Sequence, residues 1–154
     1  MTGLLKSEVY RKIKAINIGP TLSVIDKLEF SDSGGVCAWV TKSGSVMPDE
    51  MRQLIGELQL GGQVKRLFCR KLLPYQGIPP HVDDWMPDET EWRRFQVPLV
   101  SHPEIKMRWP DDGVELYLEP GFLYEVRFDR LHEVVNNAPV ERIHIQIDTV
   151  DSTI

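Results

Sequence analysis

The chain has 154 residues, of which 42% are hydrophobic and 27% charged, with a formal net charge of −5. That length suits one domain with a sizeable buried core, and the composition is that of an ordinary globular protein. An acidic balance gives no general attraction to nucleic acid or anionic lipid, and no apolar run reaches the roughly 18 residues that cross a bilayer.

From the N-terminus, residues 4–15 form a short helical candidate of weak periodicity. The start MTGLLKSEVYRKIKA lacks the apolar core and small-residue cleavage site of a signal peptide, so a cytoplasmic location is expected. Residues 20–30 and 35–41 are candidate strands. A stronger helix is predicted over 48–60. Pro48 suits its first position, Asp49 and Glu50 suit its positive end, and Met51, Leu54, Ile55 and Leu58 repeat at i, i+3, i+4 and i+7. Gly61-Gly62 then stops it.

From residue 63 the pattern changes to short strands divided by turn signals. The candidates are 63–73, 80–83, 93–100, 104–109, 114–118, 122–128, 131–136 and 141–149. Pro74, Pro79-Pro80, Pro103, Pro110 to Gly113, Pro120-Gly121 and Asn136-Asn137 separate them. Alternation is clearest in Arg142-Ile143-His144-Ile145-Gln146-Ile147-Asp148, where isoleucines face one way and polar groups the other. Eight short strands in about 90 residues predict a mainly β fold, a jelly roll or double-stranded β-helix of cupin-like type. The expected organisation is one domain over 1–154, with helical and β support in 1–62 buttressing a jelly-roll core in 63–150. Cys37 and Cys69 are too few for a disulfide scaffold and read as reduced packing residues.

The chemistry concentrates in His81-Val82-Asp83 and in His132, 49 residues after Asp83. Residues i and i+2 of an extended segment project to one side, so a strand can aim an imidazole and a carboxylate at one point. Pro79-Pro80 holds the chain extended as it enters the motif. A second imidazole from a distant strand would complete two histidines and one carboxylate on one face of a metal. That facial triad keeps open positions and suits non-haem Fe(II) activating O₂. Arg142 follows His132 by ten residues. A strand carrying His132, a turn at Asn136 to Pro139 and an antiparallel return strand would bring this planar cation near the metal, where it could hold the far carboxylate of a bidentate co-substrate.

The pieces PPHVD at 79–83, RFQVPL at 94–99, PGFLYEVRFD at 120–129 and LHEVVNNAPVERIHIQID at 131–148 resemble the aspartyl/asparaginyl β-hydroxylase-like family of Fe(II)/2-oxoglutarate-dependent dioxygenases, near the bacterial cis-proline hydroxylases. The resemblance covers a little under half the chain. It implies that His81, Asp83 and His132 bind Fe(II), that Arg142 holds the distal carboxylate of 2-oxoglutarate, and that Arg94 lies near co-substrate or substrate. Gln96 stands where the family has a histidine; it can donate a hydrogen bond but carries no charge. The implied activity is hydroxylation of an amino acid, or of an Asp, Asn or Pro-type side chain, by O₂, with succinate and CO₂ as co-products. The expected partner is a small amino acid or a peptide, with no nucleic acid and no membrane. Two other readings stay open from the residues: a non-catalytic jelly-roll binding module, and a cupin-type metalloenzyme that does not use 2-oxoglutarate.

Of the remaining candidates, His102 at a turn is expected on the surface. His144 either lines the pocket or fills the sheet interior. Arg94 should face inward and Arg93 should be a solvated partner of an acid. Trp85, Trp92 and Trp109 flank the expected mouth of the site and are expected to be structural, with Trp85, which follows the metal motif, the exception; the acidic run from Asp83 to Glu91 could bind a cationic group or fold as a lid, but reads first as a solvated surface.

Overall fold

In the computed structural model the described residues are 3–28, 30, 36–40, 47–83 and 91–151. Among these residues ten strands form two antiparallel sheets. The larger holds β1 (Tyr10–Ala15), β8 (Phe122–Val126), β5 (Trp92–Val100), β10 (Arg142–Val150), β3 (Gln63–Leu72) and β2 (Val36–Val40), in that order. The smaller holds β4 (Ile78–His81), β9 (His132–Asn136), β6 (Ile105–Trp109) and β7 (Val114–Leu116). This is the expected mainly β jelly roll.

The central strand β10 dictates the layering. Its residues are buried along the whole strand, but its two faces differ in chemistry. Ile143, Ile145 and Ile147 join Leu67 and Cys69 of β3, Phe95, Val97 and Leu99 of β5, and Leu123 of β8 in one apolar cluster. Helix α2 (Asp49–Leu58) covers that cluster with Met51, Leu54 and Leu58, each at most 2% exposed. Its period of 3.6 sets three side chains on one stripe, and burying each contributes roughly 1.5–3 kcal/mol. Burial pushes the Cys69 thiol up to about 12, as expected of a packing residue. The other face of the large sheet, carrying Arg142, His144, Gln146 and Asp148, looks towards the small sheet.

Two elements near the N-terminus differ from expectation. Residues 10–15 form strand β1, not a helix, pairing with β8 from Tyr10↔Val126 to Ala15↔Phe122. Local propensity there is weak, and the backbone bonds offered by the edge of β8 decide the outcome. Residues 20–30 were expected as a strand. Instead Gly19–Leu22 is a single helical turn (α1), and Ile25–Lys27 is a 3₁₀ turn. Pro20 fixes φ for a first helical turn and gives no ladder donor, so a strand there is disfavoured. The strand expected at 35–41 is present as β2. No helix among the described residues is long and apolar enough to cross a membrane.

Candidate metal centre

β4 is an edge strand of the small sheet, which is where Pro79 and Pro80 are tolerated, because neither has an N–H to donate. Its register with β9 slips between Ile78↔Val134 and His81↔His132, so the two histidines lie directly opposite each other. Gly77 makes this approach possible: a Cβ there would stand 2.5 Å from the Val134 carbonyl oxygen. The imidazole centroids are 4.3 Å apart. Asp83 lies two residues beyond the end of β4, yet the chain stays in place because its N–H donates to the Phe128 carbonyl at 3.1 Å. Val82 points away, 44% exposed, leaving His81 and Asp83 on one side.

The result is a compact donor set. Asp83 Oδ1 is 3.6 Å from His81 Nε2, and Asp83 Oδ2 is 3.6 Å from His132 Nε2. One ligand atom from each of the three residues lies within 4.8 Å of the others, close enough to share one ion. Both rings are also set in the tautomer a metal needs. His81 Nδ1 bonds the Pro79 carbonyl at 2.8 Å, and His132 Nδ1 bonds the Arg130 carbonyl at 2.7 Å. A carbonyl only accepts, so each neutral ring carries its proton on Nδ1 and turns the Nε2 lone pair towards Asp83. Burial, with His81 and Arg94 nearby, lowers the pKa of His132, against the opposing pull of the Arg130 carbonyl and Asp83. Its ring is therefore neutral at neutral pH. The residues fit a facial-triad metal on these grounds.

Arg94 holds this carboxylate from behind. Its NH1 donates to Asp83 Oδ2 at 2.6 Å, while Nε and NH2 grip Asp148 at 2.8 and 3.1 Å. Burial opposes the Arg94 charge, but the two carboxylates outweigh it and raise its pKa. Arg94 faces inward as expected, but its donors are committed to the metal motif and to Asp148. Asp148, 1% exposed, is a member of the site that the sequence reading missed. Its place on the same alternating face as Arg142 was the available signal. Arg93 is a correction. It is not solvated: it is 5% exposed and forms a two-pronged pair with Glu125, both contacts 2.8 Å. It sits one residue out of phase, on the apolar face with Phe95.

Arg142 reaches the same pocket by a route other than the expected hairpin. β9 and β10 are not paired; they lie in opposite sheets, β9 between β4 and β6 and β10 between β3 and β5. The turn between them crosses from one sheet to the other. Asn136 shapes it by accepting from the Ala138 N–H and donating to the Leu73 carbonyl. His132 and Arg142 thus face each other across the interior. The pocket between the sheets, about 90 Å³, is lined by His81, Asp83, His132, Arg94, Arg142 and Gln96, with further residues of β3 and β10. Arg142 is 5% exposed, and its side chain donates to Gln96 Oε1 at 3.4 Å. No carboxylate pairs with it among the described residues. Burial, with Arg70 adding repulsion, pushes its pKa down to about 9. Gln96 Oε1 also accepts from His144 Nδ1 at 2.8 Å, and Nε2 of that buried histidine has no partner. His144 therefore lines the pocket.

Neither described tryptophan of the supposed mouth, Trp92 or Trp109, lines this pocket. Trp109 is fully buried and donates to the Arg127 carbonyl. His102 accepts from the Glu104 N–H in a turn, away from the site. Trp85 and residues 84–90 lie outside the described residues.

No protein-family model and no curated protein matches the chain. Solved structures do match. The viral collagen prolyl hydroxylase of Paramecium bursaria Chlorella virus-1, solved with 2OG, superposes with a TM-score of 0.67 at 13% identity, covering 98% of this chain and 100% of that one. The non-haem α-ketoglutarate-dependent epimerase SnoN of nogalamycin biosynthesis gives 0.66 at 16% identity, covering 96% and 78%. A prolyl-4-hydroxylase of Pseudomonas putida gives 0.56 at 18% identity, covering 94% and 92%. At such identities the likeness establishes the fold, which is one that 2-oxoglutarate-dependent oxygenases use.

Proposed function

We propose that this protein is an Fe(II)/2-oxoglutarate-dependent oxygenase of the aspartyl/asparaginyl β-hydroxylase-like type, hydroxylating an amino acid or an Asp, Asn or Pro-type side chain. The observation that carries the reading is one pocket holding both a three-donor set of facial-triad type and a buried arginine without a carboxylate partner among the described residues. A triad alone would suit a cupin-type metalloenzyme, and fold alone decides nothing. The second feature asks for an anion inside the pocket, a few side chains from the metal position.

In this reading His81 and His132 give their Nε2 lone pairs and Asp83 one carboxylate oxygen. The Pro79 and Arg130 carbonyls fix the ring orientations, and Arg94 fixes the carboxylate. Such supports to metal ligands change affinity by roughly 10–100-fold. Arg142 pairs with the distal carboxylate of 2-oxoglutarate, and its lowered proton affinity is restored by that anion. Gln96 bridges Arg142 and His144 and keeps the guanidinium aimed. Ile78, Met107 and Val134 complete the wall and limit water. When bound, the iron and its co-substrate supply oxidative decarboxylation to succinate and CO₂ and the power to oxidise a C–H bond.

Succinate release with Fe(II), O₂ and 2-oxoglutarate, over a panel of amino acids and short peptides, tests the reading. The expected result is 2-oxoglutarate consumption that is stimulated by one substrate class and lost in His132→Ala. Failure to bind 2-oxoglutarate in the presence of metal would refute it.

A further inference from the structure

The cations of the pocket and its metal motif rest on different foundations. Arg66, Arg70, Arg94 and Arg142 stand on β3, β5 and β10, which pair along nearly their whole lengths. Asp83 has no such footing. It lies past the end of β4, and its N–H bonds the Phe128 carbonyl. Phe128 belongs to the link 127–131 between β8 and β9, which is itself outside any strand. Connecting segments are ordinarily the more mobile parts of a fold, whereas a metal ligand must be held to within about 0.5 Å. What fastens the link therefore fastens the metal centre.

The link reaches the site at three points. The Phe128 carbonyl holds the Asp83 backbone at 3.1 Å, and the Arg130 carbonyl holds His132 Nδ1 at 2.7 Å. The buried Phe128 ring lies under the Arg94 guanidinium, 4.7 Å from ring centroid to cation, while Arg94 grips Asp83 Oδ2. On its other side the link is bound to a turn near the N-terminus. Arg127 Nε donates to the Glu8 carbonyl at 2.8 Å, and its NH2 donates to the Leu5 carbonyl at 2.6 Å. Arg130 NH2 donates to the Lys6 carbonyl, and its NH1 donates to Asp112 at 2.6 Å. Residues 5–8 close on themselves: the Glu8 N–H donates to the Leu5 carbonyl, and the Leu5 N–H donates to Glu8 Oε2. Val9 follows, buried in one cluster with Trp109 and Val126, so the turn is anchored where β1 begins. A guanidinium suits this fastening because its planar fork meets two carbonyls at once.

We propose that Arg127 is a positioning residue for the metal centre: it ties the link 127–131 to the turn at residues 5–8 and thereby fixes Asp83 and His132, so that a segment that does not line the pocket sets the affinity for the ion. The identity of the ion rests on the oxygenase reading, but the relay itself can be read in the metal-free protein.

The test is titration of the full chain with Mn(II), beside thermal unfolding, for the wild type, Arg127→Met, Arg127→Lys and Leu54→Ala. Methionine keeps the aliphatic stem and removes the fork. Arg127→Met should weaken Mn(II) binding by about tenfold or more, the lower end of what supports to metal ligands contribute. Lysine reaches one carbonyl, so Arg127→Lys should fall between wild type and Arg127→Met. Leu54→Ala opens a cavity under α2, in the apolar cluster on the other face of the large sheet. It should lower the melting temperature at least as far as Arg127→Met does, yet leave Mn(II) affinity within about twofold, as for sites that share no partners. Three results would each overturn the proposal: Arg127→Met binds Mn(II) like the wild type, Arg127→Lys recovers nothing, or Leu54→Ala weakens Mn(II) as much as Arg127→Met, since affinity would then only track stability. A second readout needs no ion. In the metal-free protein at pH 8, nitrogen-15 NMR of His132 should show the Nδ1–H tautomer, and Arg127→Met should turn it into a mixture. Should the wild type take up no Mn(II), the oxygenase reading falls by itself and the tautomer decides the relay: a mixture in Arg127→Met sustains it, and an unchanged tautomer overturns it.

Discussion

Replacing Arg142 with methionine should make the unliganded protein more stable while destroying its co-substrate site. The Arg142 guanidinium is buried, bonded among the described residues only to a neutral amide oxygen, and repelled by Arg70. Its fall from the usual guanidinium range to about 9 corresponds to a penalty of up to roughly 5 kcal/mol on holding the charge in the folded state. Methionine of similar length removes that penalty and forfeits one long hydrogen bond. Exchanges of buried ions for apolar groups gain about 1–4 kcal/mol, and that is the expected range here, or roughly 3–10 °C in melting temperature. The sign with pH follows from the depressed value. Below pH 9 both folded and unfolded chains carry the charge, so the wild type bears the whole penalty. As pH rises through 9 towards the ordinary guanidinium range the folded state releases the proton first, and the gap between the two proteins closes. Urea unfolding of both proteins without ligands at pH 7 and pH 10 gives the comparison, and calorimetry with Mn(II) and 2-oxoglutarate gives the functional half. A methionine variant less stable than wild type at pH 7 would refute the claim that this cation is uncompensated. Unaltered 2-oxoglutarate binding would refute its role.

Other consequences are as direct. Arg94→Gln leaves Asp148 buried without its two-pronged partner and Asp83 unsupported. It should cost about 3–5 kcal/mol in denaturant unfolding and weaken Mn(II) binding by roughly 10–100-fold. Gly77→Ala drives a methyl against the Val134 carbonyl and pushes β4 from β9. A loss of about 1–3 kcal/mol is expected, with weaker metal binding, since His81 moves with the strand. Cys69 should resist iodoacetamide at pH 8 until the protein is unfolded, as its thiol lies near 12.

The parts of this fold and site that were legible in the sequence share a cause. Strands such as β10 carry a period of 2 because their two faces meet different surroundings, an apolar cluster on one side and the polar pocket on the other, and α2 carries a period of 3.6 because it buries one stripe. The i, i+2 rule brought His81 and Asp83 to one side even though Asp83 lies past the end of β4. The pairing of His81 with His132 was not readable, since register across 51 residues depends on the slip at Pro79-Pro80 and on Gly77. The relation of β9 to β10 was misread for a similar reason: a short turn suggests a hairpin, but Asn136 bends this one between sheets. Arg66 and Arg70 were overlooked although Arg66-Phe68-Arg70 alternates against Leu67 and Cys69. In a strand of mixed charge that pattern resembles a solvated face, and only the opposing sheet shows that it is an interior one.

Titration of the apoprotein with Mn(II) in the presence of 2-oxoglutarate, for the wild type and for His81→Ala, Asp83→Ala and His132→Ala, tests the central claim most directly. One equivalent should bind to the wild type, and each single replacement should abolish or severely weaken uptake. Stoichiometric binding that survives the loss of His132 would contradict the account, as would a wild-type protein that takes up no metal.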